Sequence, residues 1–298
     1  MLRIVEVGHT GVGKTTYMAS MYGALQNKIE GFSLRAIDRS DHSRLLKIAT
    51  AIQQGKYPSP TDQRSEYNFY LQYQGKDIFR FCWADYRGGA IRETQDSEQA
   101  RLLLQDLREA DGVLMFCDCQ ALARRDRRTN QIGRMISLMN NALQNLERPL
   151  ALGVVLTKTD LVEEVKGLEE IILEPFQGLF QAIDANDKIA ATIIPVACGT
   201  ELLNVEIPVL FALLVGVNTQ VARLSKEMDE HKKMAEYYES QTHGIGGFLR
   251  EAWDELVGNT TYREMAQSRY AQVQSKYKEL EPIIEPVKAL NKYLCLDT

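Results

Sequence analysis

The chain has 298 residues, of which 45% are hydrophobic and 25% charged, and its formal net charge is −5. This composition is typical of a globular protein. The length suits one large domain, or one domain and an appendage. The negative charge argues against general nucleic-acid binding, which needs a basic surface. The sequence shows no run of about 18 apolar residues, so no membrane span is expected. The five cysteines lack paired spacing, so a reducing, cytoplasmic location is expected.

The first motif is a glycine-rich loop between a strand and a helix. LRIVEV is predicted to form a buried strand, and GHTGVGKTT follows it, with Gly8, four residues, then Gly13, Lys14 and Thr15. This is the P-loop spacing, in which glycines let backbone N–H groups surround phosphates. Lys14 is predicted to neutralise the β- and γ-phosphates, and Thr15 to bind Mg²⁺. The alternative is a chance glycine-rich turn.

A β-hairpin is the next predicted element that carries chemistry. In EYNFYLQYQGKDIFRFCWAD, alternating apolar residues surround a turn at residues 74–76, and the second strand ends in DYRG. Asp85 at that strand end can hold Mg²⁺ through water, and the N–H of Gly88 can meet a γ-phosphate. D-x-x-G alone occurs by chance in many proteins, and it becomes informative only after a P-loop and a hairpin.

A purine-binding motif is predicted at the end of a later strand. ALGVVLTKTD ends in Thr157, Lys158, Thr159 and Asp160. One carboxylate can accept both N1–H and N2–H of guanine, a pair of donors that adenine lacks. Lys158 can lie over the base and reach the P-loop. The alternative is that these residues only begin the next helix, with Asp160 as its N-cap. After the last strand, ATIIPVA, a backbone N–H near Ala197 can meet the guanine oxygen.

The order of GHTGVGKTT, DYRG, TKTD and VACG resembles the successive motifs of Ras-like GTPases of the translation-factor-related P-loop class, over about residues 1–225. The chain is also similar to bacterial small GTPases, including the G domains of double-GTPase proteins. The resemblance implies an α/β P-loop NTPase G domain, with a mostly parallel sheet flanked by helices, that binds GTP and GDP with Mg²⁺ as a molecular switch. The residues that it implies for phosphate, metal and guanine binding are Gly8, Gly11, Val12, Gly13, Lys14, Thr15, Thr16, Asp85, Gly88, Thr157, Lys158, Asp160 and Ala197.

Two positions depart from the family's pattern for binding. Thr157 stands where the family usually has Asn, which weakens the inference of guanine preference, although the hydroxyl can still bond. The switch I threonine, expected to bind Mg²⁺ and assist catalysis, is assigned to Thr61 in the loop YPSPTDQ, with Ser59 and Ser65 as rivals. This loop follows an extra amphipathic helix predicted at about residues 41–54, which compact Ras-like proteins lack.

The hydrolysis machinery departs as well. Gly89 stands where many relatives have a Gln that orients the attacking water, and Thr10 replaces a small P-loop glycine. Slow intrinsic turnover, or hydrolysis completed from elsewhere, is therefore predicted. Arg87 and Arg92 are the internal candidates for a catalytic cation. The segment ALARRDRRTNQ, with Arg124, Arg125, Arg127 and Arg128, is interpreted as a solvated loop, an arginine finger in trans or a surface for an acidic partner.

The C-terminal part, residues 226–298, is predicted to form an antiparallel helical hairpin. Pro282 and Pro286 are predicted to end or kink its second helix. At its tip, FLREAWDELV gathers Phe248, Leu249, Trp253 and Leu256 near one face. That face packs internally or binds a partner or second copy, and its acidity disfavours membrane contact. Expected partners are an effector or regulator, through the switch loops or the hairpin. The alternative functions are a non-hydrolysing nucleotide-binding scaffold and a P-loop ATPase.

Overall fold

One seven-stranded, mostly parallel β-sheet flanked by helices forms the fold. The computed structural model describes residues 1–59, 64–86, 98–144, 146–163, 167–243, 250, 254 and 259–294. The strands of the main sheet are Leu2–Val7 (β1), Phe32–Ala36 (β2), Ser65–Tyr73 (β3), Lys76–Asp85 (β4), Gly112–Asp118 (β5), Leu150–Thr157 (β6) and Ile189–Pro195 (β7). Ala197–Cys198 (β8) and Leu202–Leu203 (β9) form a separate two-stranded sheet.

The described helices vary from four residues to 35. They are Lys14–Ala24 (α1), Arg39–Gln53 (α2), Glu98–Glu109 (α3), Cys119–Ala123 (α4), Arg127–Asn130 (α5), Ile132–Leu143 (α6), Leu168–Leu173 (α7), Gln177–Asp184 (α8), Ile207–Gln241 (α9) and Tyr262–Tyr293 (α10). Short 3-10 turns cover Leu25–Asn27, Thr159–Leu161 and Glu174–Phe176.

The strand order is β2-β3-β4-β1-β5-β6-β7, which places β1 at the centre of the sheet. β1 pairs in parallel with β4 on one side and with β5 on the other. The carboxyl ends of these three strands therefore meet at the same edge, where the chain order reverses. In open α/β sheets this edge is where ligands bind. The predicted α/β fold with a mostly parallel sheet is confirmed.

The predicted hairpin is confirmed as β3 and β4, which pair antiparallel with Phe69 opposite Phe81. Its turn residues Gln74 and Gly75 both have positive φ, 50° and 83°. This is the turn geometry that matches the twist of the flanking strands. The sequence analysis missed β2, a five-residue antiparallel edge strand beside β3.

The extra helix predicted at about 41–54 is present as α2, and Asp38 caps it by accepting a hydrogen bond from the Ser40 N–H. Its inward face is formed by Leu45, Ala49 and Ile52, which are buried. The helix packs closely on α1, because a Cβ on Gly23 would lie 2.9 Å from the Ala49 Cβ.

The start of α9 is a core helix. It is buried from Val209 to Leu214 and again at Val217. The helix contains an 18-residue window of mean hydropathy 1.6, enough by length and composition to cross a membrane, although the sequence analysis identified no such span. Within the protein 56% of that window is buried. Its packing on β5 is close, since a Cβ on Gly112 would lie 2.8 Å from the Ala212 Cβ. Burial in the core accounts for this apolar composition.

The chain divides into two compact units, residues 1–217 with 289–298, and residues 218–288. In the second unit α9 and α10 run antiparallel, because Glu227 Oε2 meets Lys276 Nζ at 2.9 Å while the Tyr238 and Tyr262 rings stack with centroids 5.9 Å apart. The limits predicted from the sequence, 1–225 and 226–298, remain a prediction about folding domains.

Two predictions concern the helical hairpin itself. Pro282 and Pro286 lie inside α10, so neither proline ends the helix. Proline removes a main-chain donor but does not prevent a helix that packing stabilises from continuing. The four apolar tip residues, Phe248, Leu249, Trp253 and Leu256, lie outside the described residues.

Candidate functional site

The P-loop joins the carboxyl end of β1 to the start of α1. Gly11 and Gly13 have φ values of 84° and 97°, in the left-handed region that favours glycine. Gly8 is needed for close packing, because a Cβ there would lie 3.0 Å from the Phe116 Cβ. The loop therefore brings main-chain N–H groups and the N-terminus of α1 to one place, a setting that favours an anion.

Lys14 is the first residue of α1 and is buried, with 8% of its surface exposed. Its Nζ donates to the main-chain carbonyl oxygen of Gly8 at 3.0 Å. The ammonium therefore lies beside the loop that it follows, where it can neutralise bound phosphate.

Two buried carboxyl groups lie beneath the P-loop. Glu6 on β1 and Asp85 on β4 are paired across the parallel strands. Burial, and next the charge of Asp85, raise the pKa of Glu6 well above its usual range. Burial also raises the pKa of Asp85, although the positive charge of Lys14 opposes that rise.

The donor set here suits a small hard cation. Asp85 Oδ1 is buried without a hydrogen-bond partner among the described residues. Mg²⁺ prefers carboxylate, hydroxyl and water oxygens, and the hydroxyl-bearing Thr15 follows Lys14 at the start of α1. Asp85 and Thr15 are therefore the described residues that can hold Mg²⁺, directly or through water. Thr61, the third predicted ligand, lies outside the described residues.

A cavity of about 480 Å³ joins the P-loop to the end of β6. Predicted phosphate-binding and base-binding residues line it together. They are Gly11, Gly13, Lys14, Thr15, Thr16, Thr157, Lys158 and Asp160. Further lining residues are Thr10, Tyr57, Pro58, Ser59, Gln120, Leu161, Cys198 and Gly199. Val12 is fully buried, and Ala197, which is also buried, precedes the lining residues Cys198 and Gly199.

Thr157 connects three elements at the base of this cavity. Its hydroxyl is 2.6 Å from the Val12 carbonyl oxygen and 3.1 Å from the Cys117 carbonyl oxygen. A hydroxyl has one proton, so it shares or alternates this donation. The end of β6 is thereby bound to the P-loop and to the end of β5. A role for a hydroxyl at this position was part of the sequence prediction, but these two acceptors were not.

Lys158 extends from β6 back to the P-loop. Its Nζ donates to the Gly11 carbonyl oxygen at 3.2 Å and to Asp118 Oδ2 at 2.5 Å. Asp118 ends β5, and its other carboxylate oxygen caps α4 by accepting from the Ala121 N–H. Asp118 was not identified from the sequence, because its pairing with Lys158 spans 40 residues and two strands.

Asp160 presents an unpaired carboxylate to the cavity. It lies in the 3-10 turn that follows β6, and Thr159 fixes that turn by donating its hydroxyl to the Val196 carbonyl oxygen at 3.0 Å. The N-cap of the turn is Lys158, without a side-chain cap bond. Lys158 and Asp160 do begin a short turn, as the alternative held, but Asp160 is not its N-cap. Asp160 is exposed and bonds to no described residue, so its oxygens remain available.

A charged network lies beside the end of β4. The carboxylate of Asp106 on α3 accepts from Arg3 at 2.9 Å, from Arg64 at 2.8 Å and from the Tyr86 hydroxyl. The Arg64 guanidinium also lies over the Tyr86 ring, 5.2 Å from its centroid. Asp106 thus binds both Arg64, which follows segment 60–63, and Tyr86, which precedes segment 87–97.

Several predicted residues fall in those two segments. Thr61, Arg87, Gly88, Gly89 and Arg92 lie outside the described residues, and their roles remain predictions. Of the rivals to Thr61, Ser59 lines the cavity and Ser65 begins β3.

Tyr57 and Gln120 are among the cavity-wall residues that sequence reasoning missed. The Tyr57 hydroxyl lies 3.5 Å from where a Cβ on Gly199 would stand, so Tyr57 reaches the opposite wall. Gln120 donates to the Leu161 carbonyl oxygen at 3.1 Å. Neither belongs to a spaced motif, and no local pattern predicts these contacts.

A P-loop after the central strand of a mostly parallel sheet, with carboxylates ending β4 and β5 beside it, defines a P-loop nucleotide-binding protein of the G-domain type. The sequence profile of the Double-GTPase 2 family matches residues 3–186, more than half of the chain, and the chain belongs to that family. The predicted relationship to double-GTPase G domains is confirmed. The family is one of GTPases, so guanine-nucleotide binding and a GTPase-type function follow. The search of curated proteins gave no match.

Proposed function

We propose that the chain is a Mg²⁺-dependent guanine-nucleotide switch that hydrolyses GTP to GDP slowly, or with help from a partner or a second copy. The observation that carries this proposal is the free carboxylate of Asp160 in the cavity that also contains the P-loop residues. A site that held only phosphates would not need an exposed carboxylate, which repels them. An acceptor for the two donors of guanine accounts for it.

The phosphate end of the cavity supports triphosphate binding. The left-handed Gly11 and Gly13 allow the loop to turn around an anion, and α1 adds its N-terminal N–H groups. Lys14 exchanges its contact with the Gly8 carbonyl for phosphate oxygens. Thr16 lines the same end. These residues bind both GDP and GTP.

The metal ligands in this proposal are Thr15 and Asp85, with Thr61 as the switch I candidate. The burial of Asp85 at the end of β4, where the positive charge of Lys14 acts on it, supports this assignment, because a buried carboxylate is stabilised by a nearby cation. Mg²⁺ held by these residues would supply positive charge to neutralise the phosphates.

The base end of the cavity is assigned to the TKTD segment. Asp160 accepts from guanine N1–H and N2–H, and the Lys158 stem lies along the base while its ammonium stays on Gly11 and Asp118. Thr157 fixes the distance between this segment and the P-loop. The Ala197 backbone, next to the lining residue Cys198, is the candidate donor to the guanine oxygen.

Weak intrinsic hydrolysis follows from two positions. Gly89 has no side chain to orient the attacking water, and Thr10 lines the cavity where a smaller residue leaves room. The N–H of Gly88 binds the γ-phosphate, and Arg87 is the internal candidate for stabilising transition-state charge. A cation from a partner or second copy is the alternative source.

The switch readout is assigned to the loops around Thr61 and residues 85–92, or to the helical hairpin, where an effector or regulator in the cytoplasm binds. A second candidate function, a nucleotide-binding scaffold that never hydrolyses, is favoured by the same Thr10 and Gly89. The two are separated by multiple-turnover phosphate release, alone and with a candidate partner. No release in either case, together with tight GTP binding, selects the scaffold.

The test of base recognition is a competition titration against a fluorescent guanine nucleotide, using GDP, GTP, ADP and ATP with and without Mg²⁺. Wild type should prefer GDP and GTP. Asp160→Asn should lose about 10–100-fold in GDP affinity, because hydrogen bonds to a charged group contribute about 1.5–3 kcal/mol. Asp187→Asn, which removes an exposed charge outside the cavity, should bind like wild type.

Equal or better ATP binding by wild type would contradict the guanine assignment and favour a P-loop ATPase. Loss of binding on removal of Mg²⁺ should be larger for GTP than for GDP, since only GTP offers a γ-phosphate oxygen to the ion.

A further inference from the structure

A second cavity of about 730 Å³ lies outside the nucleotide site, among α4, α5, α6 and the segment 171–175. It is larger than the nucleotide cavity of about 480 Å³. Part of its wall is apolar, formed by Leu122, Ile132, Ile171 and Pro175. A cavity of this size with an apolar wall can enclose a small organic molecule.

The rest of the wall is strongly basic. Arg125, Arg127, Arg128 and Arg134 line the cavity. All four are exposed, and none forms an ion pair with any residue in the described part of the chain. Their side chains form no hydrogen bond to a described residue, in a chain whose net charge is −5, although the charge of Arg128 acts on the neighbouring Asp126.

The two acidic residues of the wall do not balance this charge. Asp126 is used by its own segment, since its carboxylate accepts from the Arg128 N–H at 2.9 Å and from the Thr129 hydroxyl at 2.6 Å. These hydrogen bonds lower the pKa of Asp126. Glu174 is the other acid. Four guanidinium groups against two carboxylates leave the cavity with a formal charge of +2.

A solvated basic loop would explain the exposure of these arginines but not their placement. The four arginines line one concave, partly apolar space together. Arginine forks bind phosphate oxygens in pairs. The apolar wall suits the non-phosphate part of the same ligand.

We propose that this cavity is a second ligand site, which binds a nucleotide-sized organic phosphate with its phosphates on the arginines and its apolar or aromatic body on Leu122, Ile132 and Pro175. The site is separate from the P-loop cavity and does not depend on the proposed hydrolysis.

A chain of hydrogen bonds connects the new site to the nucleotide site. Asn130 lines the basic cavity and is itself buried, with 1% exposed. Its side chain accepts from the Asp118 N–H at 2.7 Å and donates to the Asp118 carbonyl oxygen at 3.0 Å. Asp118 in turn holds Lys158. A ligand that contacts Asn130 is therefore linked through Asp118 to Lys158, the lysine assigned to the guanine base.

The probe for this site is pyranine, a fluorescent aromatic trisulfonate that matches the proposed charge and body without being a nucleotide. The full chain is loaded with GDP and Mg²⁺, bound GDP is measured after denaturation, and pyranine anisotropy is followed at fixed ionic strength. Wild type should bind it saturably. Arg127→Ala/Arg128→Ala should bind at least about tenfold more weakly, because it loses charge-assisted contacts.

The matched control is Arg108→Ala/Arg124→Ala. It removes the same charge from exposed positions that do not line the cavity, and it should bind like wild type. Arg125→Ala/Arg134→Ala removes other arginines of the same cavity and should reproduce the loss, which covers the case in which the first pair fails to fold. Excess ATP should displace pyranine while GDP remains bound.

Equal weakening in the control pair would overturn the proposal, because the effect would then be one of net charge. Absence of saturable binding, or no displacement by millimolar ATP, would also overturn it. The bound-GDP measurement reports on the proposed nucleotide site separately. A chain that retains no GDP contradicts the proposed function, while the comparison between the arginine pairs still decides the second site.

Discussion

The hydroxyl oxygen of Thr157 lies 2.6 Å from the main-chain carbonyl oxygen of Val12, across 145 residues of sequence. Thr157 is 3% exposed and Val12 is fully buried, so this bond is shielded from water. It joins the end of β6, which leads into Lys158 and Asp160, to the P-loop, which leads into Lys14. The relative position of the two ends of the nucleotide cavity therefore depends on a threonine hydroxyl.

Thr157→Val should lower both the free energy of unfolding and the GDP affinity. Valine keeps the shape but leaves the buried Val12 carbonyl without its donor, a loss of about 1–3 kcal/mol. Chemical denaturation and nucleotide titration measure the two effects. Thr157→Ser keeps the hydroxyl and should retain most of the affinity. Thr192→Val, a half-buried threonine on β7, is the control. Equal behaviour of Thr157→Val and the control would show that the hydroxyl does not join the two ends.

Glu6 should make the nucleotide-free protein less stable as pH rises. Its pKa in the folded chain lies well above the ordinary value of 4.5, so the folded state holds a proton that the unfolded state has released. Stability is then greatest below 4.5 and falls until pH passes the raised pKa. Glu6→Gln cannot titrate, so its unfolding free energy should fall less over that interval. The measurement is denaturant unfolding from pH 4.5 upward in EDTA. Identical slopes for the two proteins would contradict the assignment.

Asp106→Asn should destabilise the chain by about 1–3 kcal/mol, because a neutral amide cannot serve Arg3, Arg64 and the Tyr86 hydroxyl as the carboxylate does. Tyr86→Phe removes one of these bonds and should cost about 1 kcal/mol. Denaturant midpoints give both values. Asp184→Asn, an exposed residue of α8, should be neutral. The network has no stabilising role if Asp106→Asn matches Asp184→Asn.

Gly112→Ala should lower the free energy of unfolding by about 1–3 kcal/mol, because its Cβ would lie 2.8 Å from the Ala212 Cβ in the core. Gly178→Ala is the matched substitution in an open position, where a Cβ on α8 would meet nothing within 4 Å. It should be neutral or stabilising by up to about 1 kcal/mol, since alanine favours a helix over glycine. Opposite signs for the two variants are expected in thermal or denaturant unfolding. Equal signs would argue against the close packing of α9 on β5.

The sequence was sufficient to predict the elements whose signals are local. The P-loop follows from glycine spacing, and the β3–β4 hairpin follows from alternation and a Gln-Gly turn. The strand β2 escaped prediction because FSLRA is short and lies on an edge, where neighbouring strands decide pairing. Lys158 was singled out, yet its partner Asp118 was not, because no spacing rule relates residues on adjacent parallel strands. Likewise, α10 continues through Pro282 because packing outweighs the low helix propensity of proline.

Asp106 connects α3 directly to two residues that are distant in sequence, Arg64 and Tyr86. Segments 60–63 and 87–97 are far apart in sequence, but Arg64 and Tyr86, which border them, bind the same carboxylate. A displacement of Arg64 changes the charge that the Tyr86 hydroxyl experiences, and a displacement of Tyr86 does the same to Arg64. Arg64 and Tyr86 therefore form a coupled pair on one carboxylate rather than two independent contacts. Any movement of α3 that shifts Asp106 thus reaches both residues at once.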